Sequence, residues 1–98
     1  MLERKFQADL ISELKETFPG CFVLKNDPNY IQGIPDLLIL FGNRWAALEV
    51  KNSMYAHRQA NQQWYVERFN EMSCAYVIYP ENRDEVINQL RDHFEYWG

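Results

Sequence analysis

The sequence predicts an α/β fold, with a mixed four-stranded sheet flanked by helices. Three observations predict it. Hydrophobic residues make up 47% of a 98-residue chain, which suits one small core and a single domain over residues 1–98. The apolar spacing alternates between the helical period and short strand-like runs. A helical stretch separates the third strand run from the fourth, and such a crossover returns the chain parallel to a neighbouring strand.

The first helix is expected over 2–18, where Leu2, Phe6, Leu10, Leu14 and Phe18 recur at helical spacing. Pro19-Gly20 ends it. Residues 21–24 form a short strand, and Asn26-Asp27-Pro28-Asn29-Tyr30 is turn chemistry in a loop that runs to Gly33. Pro35 biases Ile34 toward extended backbone. Residues 36–41 are a near-continuous apolar strand with Asp36 at its mouth. Gly42-Asn43 marks a tight hairpin turn, and 44–51 is the return strand. A second helix is expected over 57–72, with Ala60, Trp64, Tyr65, Val66 and Phe69 among its apolar positions. Residues 74–79 are the fourth strand, and Pro80-Glu81-Asn82 opens a last helix carrying Val86, Ile87, Leu90, Phe94 and Trp97. The expected order is αβββαβα.

The bulk numbers restrict the function. No apolar run is long enough to cross a bilayer. Met1-Leu2-Glu3-Arg4-Lys5 leads into an amphipathic stretch and not an apolar signal core, so a cytoplasmic protein is expected. A small core favours a homodimer, which adds buried surface. The net charge of −4 argues against a protein that coats nucleic acid generally, since phosphate contact favours basic surfaces. It leaves room for a carboxylate site, itself acidic, with a local basic patch. Cys21 and Cys74 have neither CxxC spacing nor paired histidines, so they read as two buried thiols at strand starts and not as zinc ligands. Trp45, Trp64 and Trp97 read as core or dimer contacts, and His93 as a helix-surface residue.

The chemistry lies in charges set among apolar strands. Trp45, Ala47, Glu49 and Lys51 share one face of the return strand, and Ala46, Leu48 and Val50 share the other. Hairpin pairing brings Asp36 beside Glu49 and Lys51. Two carboxylates held together repel unless a cation joins them, and hard oxygen ligands suit Mg²⁺ or Mn²⁺. Such a cation activates water and stabilises a pentavalent phosphate, while a lysine positions the water or the phosphate charge. These are the needs of phosphodiester hydrolysis. The alternative is that Asp36 and Glu49 are inward charges that keep strands from aggregating. Glu3 lies on the apolar stripe of the first helix and either reaches the sheet or serves as a first-turn acid. Gln62 shares a stripe with Val66 and Phe69 and either points inward at the site or is an ordinary surface glutamine.

Gly33-Ile34-Pro35-Asp36-Leu37-Leu38-Ile39, followed by Leu48-Glu49-Val50-Lys51, resembles the signature of the PD-(D/E)xK nucleases. The wider pattern is similar to their VRR-NUC branch, especially its small stand-alone phage and bacterial members. The resemblance takes in Glu3, Lys25 at a strand end, the GIPD turn, the ExK strand and Gln62. It implies a restriction-endonuclease-like fold and a Mg²⁺ or Mn²⁺ site held by Asp36, Glu49 and the backbone carbonyl of Val50. It makes Lys51 the catalytic lysine, Glu3 the extra acid and Gln62 the helix glutamine, with Lys25 facing DNA phosphate. Stand-alone members resemble Holliday-junction resolvases and act as dimers on four-way junctions. The acidic net charge departs from what a junction binder needs. Arg44, His57 and Arg58 join Lys25 as candidates for a DNA-facing patch, or else are solvated surface. The expected activity is DNA endonuclease cleavage of branched DNA. The alternatives are a nickase or flap nuclease working with a partner protein, and a non-catalytic module of the same fold.

Overall fold

The computed structural model describes residues 2–95 of the chain, so Trp97 lies outside the described residues. The elements are α1 (Glu3–Thr17), β1 (Phe22–Lys25), β2 (Leu37–Phe41), β3 (Arg44–Val50), α2 (Ala60–Met72), β4 (Ala75–Ile78), a single 3₁₀ turn at Pro80–Asn82, and α3 (Arg83–Glu95). The sheet order is β1-β2-β3-β4. β1 and β3 both run antiparallel to β2, and β3 runs parallel to β4. The fold is therefore α/β, with helices on both faces of a mixed sheet.

Alternation along the strands sorts the side chains into two layers. One face carries Leu37, Ile39, Ala46, Leu48, Val50 and Ile78, against Phe6, Leu10 and Leu14 of α1 and Val86, Ile87, Leu90 and Phe94 of α3. Phe18, Phe41 and Phe94 close one end of this layer, with ring centroids 5.2–5.8 Å apart, at the tilted and edge-on angles that aromatic quadrupoles favour. The other face is thinner: Ala47 and Ala75 pack against Val66 of α2, with Trp45, Phe69 and Val77 around them. The alanines let α2 sit close over β3 and β4.

Several boundaries differ from the periodicity, each for a local reason. α2 starts at Ala60 and not at residue 57, because Gln59 caps it. The Gln59 side chain accepts a bond from the Gln62 backbone, and the Gln62 side chain accepts the Gln59 N–H. This reciprocal box satisfies amides that a free helix end would leave open, and it leaves His57 and Arg58 in the loop. Cys21 stays out of β1 and is half-buried, not buried as Cys74 is, with its thiol donating to the Leu14 carbonyl at 3.7 Å. The last helix opens with a 3₁₀ turn, in which Asn82 accepts the Tyr79 N–H and donates to the Val77 carbonyl. Gly42 adopts φ +63° in the two-residue turn between the paired Phe41 and Arg44, a left-handed conformation that glycine adopts without strain.

His93 is not a helix-surface residue. Its Nε2 lies 3.2 Å from Ser73 Oγ and 3.1 Å from the Trp45 carbonyl oxygen. Arg44 Nη1 donates to the His93 carbonyl of α3 at 3.0 Å. These contacts tie the α2–β4 corner, the start of β3 and the end of α3 together, at the opposite end of β3 from Lys51.

Candidate metal and phosphate site

The hairpin ladder stops at Leu37 opposite Leu48. One step beyond, Asp36 replaces the ladder with its side chain, and Oδ2 accepts the Val50 N–H at 2.8 Å. A strand residue sends its N–H and C=O toward the same neighbour. The Val50 carbonyl is thus aimed past the end of β2, on the same side as the Asp36 carboxylate. Asn26 fixes the backbone of this corner, since its N–H donates to the Asp36 carbonyl at 2.9 Å and its Nδ2 to the Pro35 carbonyl at 2.8 Å.

Glu49 projects from β3 beside this corner and is 3% exposed. Its Oε2 lies 3.3 Å from Lys51 Nζ. Its Oε1 is buried and has no hydrogen-bond partner among the described residues. An unpartnered buried carboxylate oxygen is costly, because desolvation disfavours its charge. Lys51 Nζ also donates to Gln62 Oε1 at 3.0 Å, and Lys51 N donates to the Ile78 carbonyl at 2.9 Å. The ammonium is therefore held between β3 and the first turn of α2.

The acids disturb one another. Burial, and after it the negative charge of Asp36, pushes the Glu49 carboxyl up to about 7, although the Lys51 ammonium pulls it down. Burial raises Asp36 too, against the lowering effects of the Val50 amide and Lys51. Glu3, at the start of α1, is raised by burial and then by repulsion from Asp36, and lowered by Lys51. Glu3 is thus electrostatically coupled to the site, although its residue is mostly exposed. Lysine alone does not neutralise this cluster.

The donors fit a hard divalent cation. One orphaned carboxylate oxygen, a second carboxylate with one oxygen already fixed by an amide, and a backbone carbonyl aimed the same way form an incomplete all-oxygen set. Mg²⁺ and Mn²⁺ accept such sets because they keep several waters. Among the described residues, no group of three or more His, Cys, Asp or Glu is arranged to hold a metal by side chains alone.

The structure therefore brings together Asp36, Glu49, Val50, Lys51 and Gln62, with Glu3 alongside. The DNA-facing candidates divide. His57 and Arg58 are exposed in the loop between Lys51 and α2, and the Arg58 guanidinium lies 5.8 Å from the centre of the Tyr79 ring. Lys25 pairs with Leu37, on the face shared by Leu48, so its side chain leaves on the opposite face from Glu49 and Lys51. Arg44 is committed to the end of α3, far along β3 from the site. Asn26 and Gln59 are the positioning residues that the sequence reading missed. Asn26 carried only a turn signal, and Gln59 resembled any other glutamine in a run of polar residues.

Comparison with protein-family models, curated proteins and solved structures finds no match for the chain.

Proposed function

We propose that the chain is a Mg²⁺- or Mn²⁺-dependent DNA endonuclease of restriction-endonuclease-like fold, similar to the VRR-NUC branch of the PD-(D/E)xK nucleases. The observation that carries this reading is Glu49 Oε1, buried without a partner beside Asp36 and within one residue step of the Val50 carbonyl. Asp36, Glu49 and Val50 O would hold the metal, which when bound supplies Lewis acidity to the phosphate and a lower pKa to its water. Lys51 reaches the same space, with one N–H to Glu49 and one to Gln62. Its remaining N–H is free to face a phosphate oxygen or the attacking water. Gln62 fixes the direction of that ammonium, and Glu3 adds negative charge that strengthens cation binding. Water attacks phosphorus, the opposite P–O bond breaks, and Lys51 stabilises charge on the non-bridging oxygens.

Branched DNA is the substrate we assign, and a homodimer the working form. The dimer is supported by the half of the sheet that α2 leaves bare. There Phe22 pairs with Leu40 and Leu24 with Leu38, and Phe22, Leu24 and Leu40 are 67%, 45% and 37% exposed. An open apolar groove of about 380 Å³, lined by Leu38, Leu40, Trp45, Phe69 and Met72 among others, runs beside them. Apolar surface of this kind marks association sites. No helix among the described residues is long and apolar enough to cross a membrane.

The test is Mn²⁺-supported cleavage of a panel of linear, flap and four-way DNAs. Cleavage of the four-way junction, abolished by Asp36→Ala, is the expected result. Cleavage by Asp36→Ala at the normal rate overturns the mechanism, and preference for a flap moves the assignment to a nuclease that works with a partner.

A further inference from the structure

Two loops lead directly into the site, one from β1 to Asp36 and one from Lys51 to α2. Each carries a tyrosine that packs on almost nothing: Tyr30 is 84% exposed and Tyr55 is 85% exposed. Ile31 and Met54 beside them are 36% and 46% exposed. Single exposed apolar residues are ordinary. Here they are concentrated on the two segments that frame one site.

These loops are built and not slack. The Asp27 carboxylate accepts the Asn29 N–H at 2.8 Å, and the Asp27 carbonyl accepts the N–H groups of Tyr30 and Ile31. Ser53 Oγ accepts the Tyr55 N–H, the Ser53 carbonyl accepts the Ala56 N–H, and Glu81 accepts the Met54 N–H. The first loop also meets α2. Gly33 has φ +90°, and a Cβ there would lie 2.7 Å from Asn61 Nδ2 in the first turn of α2, so the first loop packs on the helix that the second loop enters. The backbone thus sets where both side chains leave the loops, which lowers the entropy cost of ordering the loops on binding.

Within their own sequence the two loops are poor in acids, although the Glu81 carboxylate sits against the second. Between Val50 and Val66 there is no acidic residue, while Lys51 and Arg58 are basic. Between Asn26 and Pro35 the single acid, Asp27, is engaged within its own turn. Exposed aromatic rings on loops that also carry cations, as Tyr55 does with Lys51 and Arg58 on one loop, are the chemistry that binds single-stranded nucleic acid. Bases stack on the rings, and the cations track the phosphates.

We infer that Tyr30 and Tyr55 are stacking platforms for unpaired nucleobases of a DNA strand whose phosphate lies at the Asp36–Glu49 corner. The choice of a phosphate-cleaving site rests on the function proposed above. Selectivity for DNA with unpaired bases, at a flap, a single-stranded arm or an opened junction centre, then comes from the two rings and not from a basic surface.

The experiment is binding by fluorescence anisotropy in Ca²⁺, comparing a blunt duplex with the same duplex bearing a short unpaired arm that contains 2-aminopurine. The wild-type protein should bind the arm-bearing DNA more tightly and quench the 2-aminopurine. The double variant Tyr30→Ala/Tyr55→Ala should lose roughly tenfold or more of that preference and the quenching, and the double Tyr→Phe variant should keep both. Both rings are exposed, so their removal leaves no cavity, and unchanged circular dichroism confirms the fold. Equal wild-type affinity for the two DNAs, or an unchanged preference in the double alanine variant, overturns the inference. Mn²⁺-supported cleavage is scored separately. A protein that shows the tyrosine-dependent preference but cuts nothing retains the stacking surface and loses the nuclease assignment. A protein that cuts without the preference does the reverse.

Discussion

Raising the pH through the range in which Glu49 ionises should destabilise the metal-free protein. Glu49 titrates near 7 in the folded chain against an ordinary 4.5. The folded state therefore binds the proton more tightly than the unfolded state. Stability from this group is fully present below 4.5 and is lost as the pH rises through 7. Because the residue is 3% exposed, little solvent screening reduces the effect, and a shift of this size corresponds to about 3 kcal/mol. Burial is the leading cause and the neighbouring Asp36 the second. Asp36 and Glu3 are shifted in the same direction and steepen the loss. Urea unfolding of the chelator-treated protein between pH 4.5 and 8 measures it. Glu49→Gln should flatten the profile, losing most of the Glu49 share of the slope. A Glu49→Gln profile that parallels the wild type would refute the reasoning.

Five further outcomes follow. Mn²⁺ affinity should rise roughly tenfold per pH unit below about 7 and level off above it, because the metal displaces the Glu49 proton; calorimetry in two buffers of different ionisation enthalpy checks it. Gln62→Leu should cost about 1 kcal/mol through the lost capping box and should lower kcat more than KM, since Lys51 loses its acceptor; thermal melts and steady-state cleavage read the two effects. Gly33→Ala should destabilise the fold by about 1–3 kcal/mol, given its positive φ and its contact with Asn61, as measured by urea unfolding. His93→Ala should cost about 1 kcal/mol and leave cleavage unchanged, whereas His57→Ala in the exposed loop should leave stability unchanged.

Much of the site is legible in the sequence because strand geometry is simple. The alternation of Ala46, Leu48 and Val50 with Ala47, Glu49 and Lys51 fixes which charges share a face, and Gly42-Asn43 sets the register that brings Asp36 level with Glu49. Gln62 is legible through its helical stripe with Val66. The rest depends on contacts between residues distant in the chain. Arg44 looks like a free cation until the end of α3 arrives beside it, 49 residues later. His93 looks like surface until Ser73 and the Trp45 carbonyl close around it. Lys25 stands at a strand end as expected, and only the β1–β2 register shows that its side chain leaves on the face away from Glu49. The start of α2 escapes periodicity because a glutamine, not a usual capping residue, forms the box.

The central claim is that Glu49 Oε1 and Asp36 form a cation site. Calorimetric titration of Mn²⁺ into the chelator-treated protein at pH 7.5 tests it most directly. The structure leads us to expect saturable binding of Mn²⁺ by the wild-type chain, weakened at least tenfold in Glu49→Gln and in Asp36→Asn, the latter keeping an acceptor for the Val50 amide. Absence of saturable Mn²⁺ binding, or binding of the same strength in both variants, would contradict it.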